Sequence, residues 1–197
     1  MGFKVKDHYY KKAKSENYLA RSIYKLEEID SKYKIITEGD LVLDLGYYPG
    51  SWTQYASKAV GENGLVIGID IQGVNRKLAH LKNVRVYDKD INDVKSLADF
   101  EIEKQFDCVI SDMAPKTTGI KSVDQARSLD LVEMAMGHLE QFLKPNGNFV
   151  IKVFDGNDAQ VFLKTQKKRF KDFQYLKPKS TRSVSKEFFA IGKGFLE

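Results

Sequence analysis

The chain predicts an α/β fold, a mostly parallel sheet with helices on both faces. Three observations carry this reading. Short runs of aliphatic and β-branched residues alternate with stretches of helical periodicity. Several of the apolar runs end in an aspartate. The last two runs are joined by a polar loop with no helix between them, which makes an antiparallel edge. At 197 residues the chain fits one domain, read over 1–197, with 1–15 as a polar, basic, mobile arm.

The elements follow in order. From Asn17 to Tyr33, Leu19, Ile23, Leu26 and Ile29 recur at helical spacing. Leu41–Gly46 is a short buried strand, Pro49-Gly50 a sharp turn, and a helix runs from Ser51 to about Val60. Leu65–Asp70 is the second strand, Val84–Tyr87 a weaker third, and Phe106–Asp112 the fourth. A long helix from Val123 to Leu143 meets the breaker Lys144-Pro145-Asn146-Gly147. Asn148–Phe154 is the fifth strand, followed by a basic helix from about Asp158 to Phe170. Phe173–Leu176 and Glu187–Ile191 close the sheet. No repeat, low-complexity tract or internal linker interrupts this order.

Composition excludes several classes. No apolar run approaches the roughly 20 residues of a membrane helix, and the N-terminus lacks the apolar core of a signal peptide. Lys6 stands where a myristoylation signal needs Ser or Thr. A single cysteine, Cys108, rules out an internal disulfide framework, so the expected location is the cytoplasm. His8, His80 and His138 are scattered and form no metal cluster with an acid pair. No unassigned apolar face remains, which makes a monomer the expected state.

Charge is segregated. Residues 1–25 hold seven Lys/Arg against two acids, residues 164–186 nine against one, and residues 26–163 fifteen against twenty-two. Two basic ends around an acidic middle point to a polyanion, because neutralising phosphates releases counterions. Solvated surface lysines give the same count. Phe3, Tyr9, Tyr10 and Tyr24 are candidates for stacking on unpaired bases, or else pack beneath the arm.

Lys152 is the residue that demands explanation. It sits in the apolar strand Asn148–Phe154, where an unpaired ammonium costs several kcal/mol, so its head must reach water at the strand end or meet carboxylates. Asp112 ends the fourth strand, and in an open parallel sheet such ends meet at one crevice. A second constellation lies at the same edge. Asp44-Leu45-Gly46-Tyr47-Tyr48-Pro49-Gly50-Ser51-Trp52 runs strand, glycine turn, helix start, and lacks the third glycine of the dinucleotide pattern. Asp70 is placed for ribose hydroxyls, Asp90 for an adenine amine, and Trp52 for packing on a ligand. Singly, such an acid is as well a helix cap and a tryptophan as well core. Taken together, the strand-end acids favour an adenosine-type ligand.

Asp44-Leu45-Gly46-x-x-Pro49-Gly50-x-Trp52, Ser111-Asp112-Met113-Ala114-Pro115 and Ile151-Lys152-Val153-Phe154 resemble the FtsJ (RrmJ) family of RNA 2′-O-ribose methyltransferases. The resemblance runs from Arg21-Ser22-Ile23-Tyr24-Lys25-Leu26 through Ser185-Lys186-Glu187. It implies a Rossmann-like S-adenosylmethionine-dependent methyltransferase fold, seven strands with the last antiparallel, and S-adenosyl-L-methionine as cofactor. The family's Lys-Asp-Lys-Glu tetrad falls on Lys25, Asp112, Lys152 and Glu187, and its cofactor contacts on Gly50, Trp52, Asp70, Asp90 and Asp112. Tyr47, Tyr48 and Ser51 depart from the family's smaller residues, and the tyrosines are expected to narrow the cofactor pocket.

The implied chemistry needs an in-line attack and one proton managed. Lys152 is the expected general base, the like charge of Lys25 favouring its neutral form and the anions Asp112 and Glu187 favouring its charged form while orienting the lysines. Asp112-Met113-Ala114-Pro115 lacks the Asp-Pro-Pro-aromatic pattern of amino-group methylation, and Cys108 lies too early in its strand to be a carbon-5 nucleophile. The short chain is most similar to enzymes acting on a uridine of large-subunit ribosomal RNA, probed as RNA or as the large ribosomal subunit. A tRNA anticodon-loop ribose, and a non-catalytic RNA-binding ribosome-assembly factor, are the alternatives.

Overall fold

A computed structural model describes residues 8–196. It contains α1 (His8–Ser15), α2 (Ile23–Tyr33), β1 (Leu41–Leu45), α3 (Ser51–Val60), β2 (Leu65–Asp70), β3 (Val84–Asp88) and β4 (Phe106–Ser111). Then follow α4 (Lys121–Gly137), α5 (Leu139–Phe142), β5 (Leu143–Phe154), α6 (Asn157–Gln166), β6 (Phe170–Leu176) and β7 (Glu187–Phe195). The seven strands form one sheet in the order β3-β2-β1-β4-β5-β7-β6. β1 to β5 pair in parallel, and β7 runs antiparallel to both β5 and β6, inserted between them.

Strand periodicity sorts the core onto two faces. Leu43, Ile67, Val109 and Phe149 point to one side, under α4, α5 and α6, with Phe100, Phe106 and Phe142 packed edge to face among them. Val42, Val66, Cys108 and Val150, one residue earlier in each strand or one later, point to the other, under Leu26 and Ile29 of α2 and Trp52 and Ala56 of α3. Both faces are covered, which is why the central strands read as continuous apolar runs.

Four boundaries differ from the sequence reading. His8–Ser15 of the expected mobile arm is helical; residues 1–7, Phe3 and Lys6 among them, lie outside the described residues. The helix expected from Asn17 starts at Ile23, because Asn17 takes a left-handed φ of 60° and Tyr18 N–H bonds back to Ala13, closing α1. The long helix ends at Gly137, and the chain from Leu143 is already strand: Leu143 pairs with Phe106 and Asn148 with Cys108, so the supposed breaker is an irregular strand start with Asn146 at φ 64°. Finally, Phe170 opens β6 and does not end a helix; its ring lies where a Cβ on Gly192 would sit.

Candidate active site

Lys152 leaves β5 two residues before its end, and its side chain is only 7% exposed. Its Nζ donates to the Asp112 carbonyl at 2.5 Å and to Asp112 Oδ1 at 3.1 Å. Asp112 follows β4, the neighbouring parallel strand, so the two meet at the carboxyl edge. Lys25 arrives from α2, which Leu26 and Ile29 anchor on the sheet. Its Nζ lies 2.5 Å from Glu187 Oε1 and 3.8 Å from Asp112 Oδ1. Glu187 opens β7 opposite Phe154, and Lys152 is paired in register with Phe189. Four residues distant in sequence, Lys25, Asp112, Lys152 and Glu187, therefore form one cluster of two cations and two anions, with Asp112 Oδ1 shared between the ammoniums.

Burial by itself would raise the Glu187 carboxyl. The charge and hydrogen bond of Lys25, the charge of Lys152 and a contact with Ser185 outweigh it and hold Glu187 below its ordinary value. Glu187 is thus anionic at neutral pH, where it faces Lys25.

Beside the cluster, a cleft of about 340 Å³ opens along the carboxyl ends of β1, β2, β3 and β4. Asp70, Asp90 and Asp112 all line it, as does Tyr48. Asp70 is oriented by backbone N–H bonds from Tyr48 at 3.1 Å and Gln72 at 2.8 Å. Asp90 Oδ1 caps the turn Ile91–Asp93, accepting from Asn92 N at 2.9 Å. Gly46, at φ 69°, shapes the floor; a Cβ there would collide with Met113.

Two of the expected cofactor residues, Trp52 and Gly50, are not among those that line this cleft. Trp52 is 2% exposed, packs at a tilt against Phe189 with ring centroids 5.6 Å apart and donates Nε1–H to the Ser22 carbonyl at 2.9 Å; it is core, and its ring does not line the cleft. Gly50, at φ 112°, caps α3 and packs against Leu78, also outside the lining. Of the two tyrosines, only Tyr48 reaches the cleft. Tyr47 is buried over Gly68 and ties the 73–75 loop, donating to Gly73 O at 3.0 Å and accepting from Asn75 N at 2.9 Å. Tyr24, a stacking candidate, is buried beside Tyr9 and Tyr18 and donates to Glu16, whereas Tyr10 is 54% exposed.

Sequence reasoning missed other lining residues: Gln72 and Lys89, and the apolar Ile71, Ile91, Met113 and Met134. Ile71 carried a signal in its position directly after a strand-end aspartate, where an apolar residue 72% exposed has no core to serve. Asp44 was also passed over. It is fully buried under Thr53, whose hydroxyl donates to it at 2.7 Å. Burial pushes its pKa up to about 8; the Thr53 bond opposes this, and the charges of Asp112 and Asp70 add to it. Among the described residues no group of His, Cys, Asp and Glu is placed to hold a metal ion, and no helix is long and apolar enough to cross a membrane.

A seven-stranded sheet of this order, with an acidic cleft along its switch-point edge, is a doubly wound fold, and its relatives place it in the methyltransferase class. Solved structures share it. The chain superposes on fibrillarin from Aeropyrum pernix, solved with natively bound S-adenosyl-L-methionine, at TM-score 0.61 and 15% identity, covering 87% of this chain and 76% of that one. It superposes on a Plasmodium falciparum chain described as a ribosomal RNA methyltransferase at TM-score 0.77 and 27% identity, covering 91% and 99%. The FtsJ-like methyltransferase family model matches residues 18–195, and the chain belongs to that family. A relative from Bdellovibrio bacteriovorus, named ribosomal RNA large subunit methyltransferase E, is 46% identical over 98% of both chains. One of the same name from Syntrophobacter fumaroxidans is 44% identical over 98% and 97%.

Proposed function

We propose that this protein methylates a ribose 2′-hydroxyl, most specifically that of a uridine in large-subunit ribosomal RNA, using S-adenosyl-L-methionine and acting as a cytoplasmic monomer. The observation that carries the reading is Lys152: a buried ammonium site bonded to Asp112, which itself lines the cleft. A mere RNA binder gains nothing from burying Lys152 and Lys25 at this edge, a placement that costs stability.

The cleft's residues fit the cofactor. Three carboxylates suit a cationic ligand that carries hydroxyl and amine donors, and Ile71, Ile91 and Met134 offer apolar walls to a purine. Asp70 would hold ribose hydroxyls, Asp90 the adenine amine, and Asp112 the methionine end nearest Lys152. When bound, S-adenosylmethionine supplies an already activated methyl group.

The remaining work falls to the tetrad. Lys152 Nζ, once it has released its own proton to solvent, receives the 2′-hydroxyl proton as the oxygen attacks, a role worth about 10²–10⁴ in rate. Asp112, through both its carbonyl and Oδ1, fixes Nζ in position. Lys25, held by Glu187, keeps a second cation beside the developing alkoxide. Chain segments rich in Lys and Arg would steer RNA phosphates to this edge.

The test is transfer of tritiated methyl groups to large subunits lacking methylation, to total ribosomal RNA and to tRNA, comparing wild type with Lys152→Ala. Alkali-resistant label in the large subunit, lost in the variant while S-adenosylhomocysteine still binds, is expected. Label in tRNA would move the substrate and keep the chemistry. Normal turnover by Lys152→Ala would refute the assignment, and cofactor binding with no transfer to any RNA would favour the assembly-factor alternative.

A further inference from the structure

A second cavity, of about 180 Å³, opens beside the tetrad at Glu187. Asp112 lines the first cavity and Glu187 the second, so the cluster borders both. The second is bounded by the start of α4 (Lys121, Asp124, Gln125), the end of β5 (Phe154, Asp155) and Ser185–Glu187. Its walls are braced. Asp155 N–H bonds to Lys186 O at 2.9 Å, Gln125 Nε2 donates to Asp155 O, and Gln160 Nε2 donates to Asp155 Oδ1 at 2.7 Å. Asp124 is turned to its own loop, accepting from Thr118 N at 2.7 Å and Gly119 N at 3.1 Å. The half-buried Phe154 and the exposed Lys121 and Lys186 complete its lining with Ser185 and Glu187.

A ribose with its 2′-hydroxyl at Lys152 has two neighbours to place: the base on C1′ and the phosphate on C3′. The cavity discriminates between them. Among the described residues Phe154 is the one aromatic side chain on its walls and suits the face of a base, and the carboxylates of Asp124, Asp155 and Glu187 disfavour a phosphate inside it. It is about half the size of the cofactor cleft, room for one base and too little for a nucleoside. The rim ammoniums of Lys121 and Lys186 suit the phosphodiesters on either side. We propose that this cavity is the slot for the unstacked base of the nucleotide being methylated, with Phe154 as its stacking platform. This rests on the function proposed above and names the substrate-recognising site for it.

The experiment compares Phe154→Leu and Phe154→Tyr, with tritiated cofactor and large subunits lacking methylation as probe. Leucine keeps an apolar side chain and loses the π face; tyrosine keeps the face. Loss of stacking should raise KM for the subunit about tenfold in Phe154→Leu. Phe154→Tyr should stay within about twofold of wild type, S-adenosylhomocysteine affinity should hold in both, and thermal midpoints should match. Lys186→Glu, an exposed rim change that leaves the core alone, should also raise KM without altering cofactor affinity. An unchanged KM in Phe154→Leu, or equal impairment in Phe154→Tyr, overturns the slot while the active wild type upholds the function. If Phe154→Leu does not fold, an unchanged KM in Lys186→Glu overturns it. A wild type that methylates no RNA overturns both.

Discussion

Asp44→Asn should change how stability depends on pH more than it changes stability at any one pH. Asp44 is buried, and its folded-state pKa of about 8 lies well above the ordinary carboxyl value of 3.8. The folded protein therefore binds a proton that the unfolded chain gives up across this interval. The sign follows from linkage: a raised folded-state value contributes stability that is complete below about pH 4 and is lost as pH rises through 8. Between pH 5 and pH 9 the full shift corresponds to a loss of about 4 kcal/mol from this group, at roughly 1.4 kcal/mol per pH unit until 8 is reached. Relaxation and water entry at the charged site reduce this to about 2–4 kcal/mol. Asparagine still accepts the Thr53 hydroxyl and cannot ionise, so the variant escapes the loss. For a chain of this length that difference is worth about 5–10 °C in thermal midpoint. Scanning calorimetry of both proteins at pH 5, 7 and 9 is the assay. Any penalty for seating the extra amide protons is the same at each pH, so the expected result is a midpoint difference that moves steadily in the variant's favour from pH 5 to pH 9. Parallel midpoint curves would refute the reasoning and mean that Asp44 is ionised throughout.

Glu187 has the opposite sign: with its folded value held low, its contribution is present above the ordinary glutamate range and vanishes as pH falls through the folded-state value, so Glu187→Gln should lower the midpoint at pH 7, and the difference should shrink as pH falls below the ordinary glutamate range. Lys25→Met should cost about 1–3 kcal/mol in denaturant titration, because it leaves the part-buried Glu187 without its 2.5 Å partner; a loss below about 0.5 kcal/mol would show that the pair is solvated. Gly46→Ala adds a Cβ into Met113 at a left-handed φ, and should destabilise by about 1–3 kcal/mol while weakening S-adenosylhomocysteine binding measured by calorimetry. Tyr48→Ala should alter cofactor affinity and leave the midpoint within about 2 °C, whereas Tyr47→Ala, which removes a buried ring and two hydrogen bonds, should lower the midpoint by several degrees.

Local pattern determined most of the architecture. The central runs became β1, β2, β4 and β5 because a strand covered on both faces must be apolar at nearly every position, whereas the edge strands β3 and β6 carry the exposed Arg85, Lys171 and Gln174 and gave a weaker signal. The lysine at 152 and the aspartates at 70, 90 and 112 announced a polar edge, since burying such groups in an apolar setting demands partners or a ligand. Boundaries were less legible. A left-handed Asn17 and an irregular strand start at 143–148 are set by hydrogen bonds to distant segments, and helical spacing carries no trace of them.

Only the tertiary structure decided which members of a motif line the cleft. Trp52 stands six residues after Gly46, yet α3 turns it inward onto Phe189 and Ser22. Tyr47 and Tyr48 are adjacent, and one braces a loop while the other lines the cleft. The convergence of Lys25 and Glu187, 162 positions apart, required β7 to insert between β5 and β6 and α2 to dock beneath it. Side-chain direction depends on backbone placement summed over whole elements, and that sum closes only when the sheet has formed; residue type and spacing, which are local, could specify the chemistry of this edge and leave its geometry to the fold.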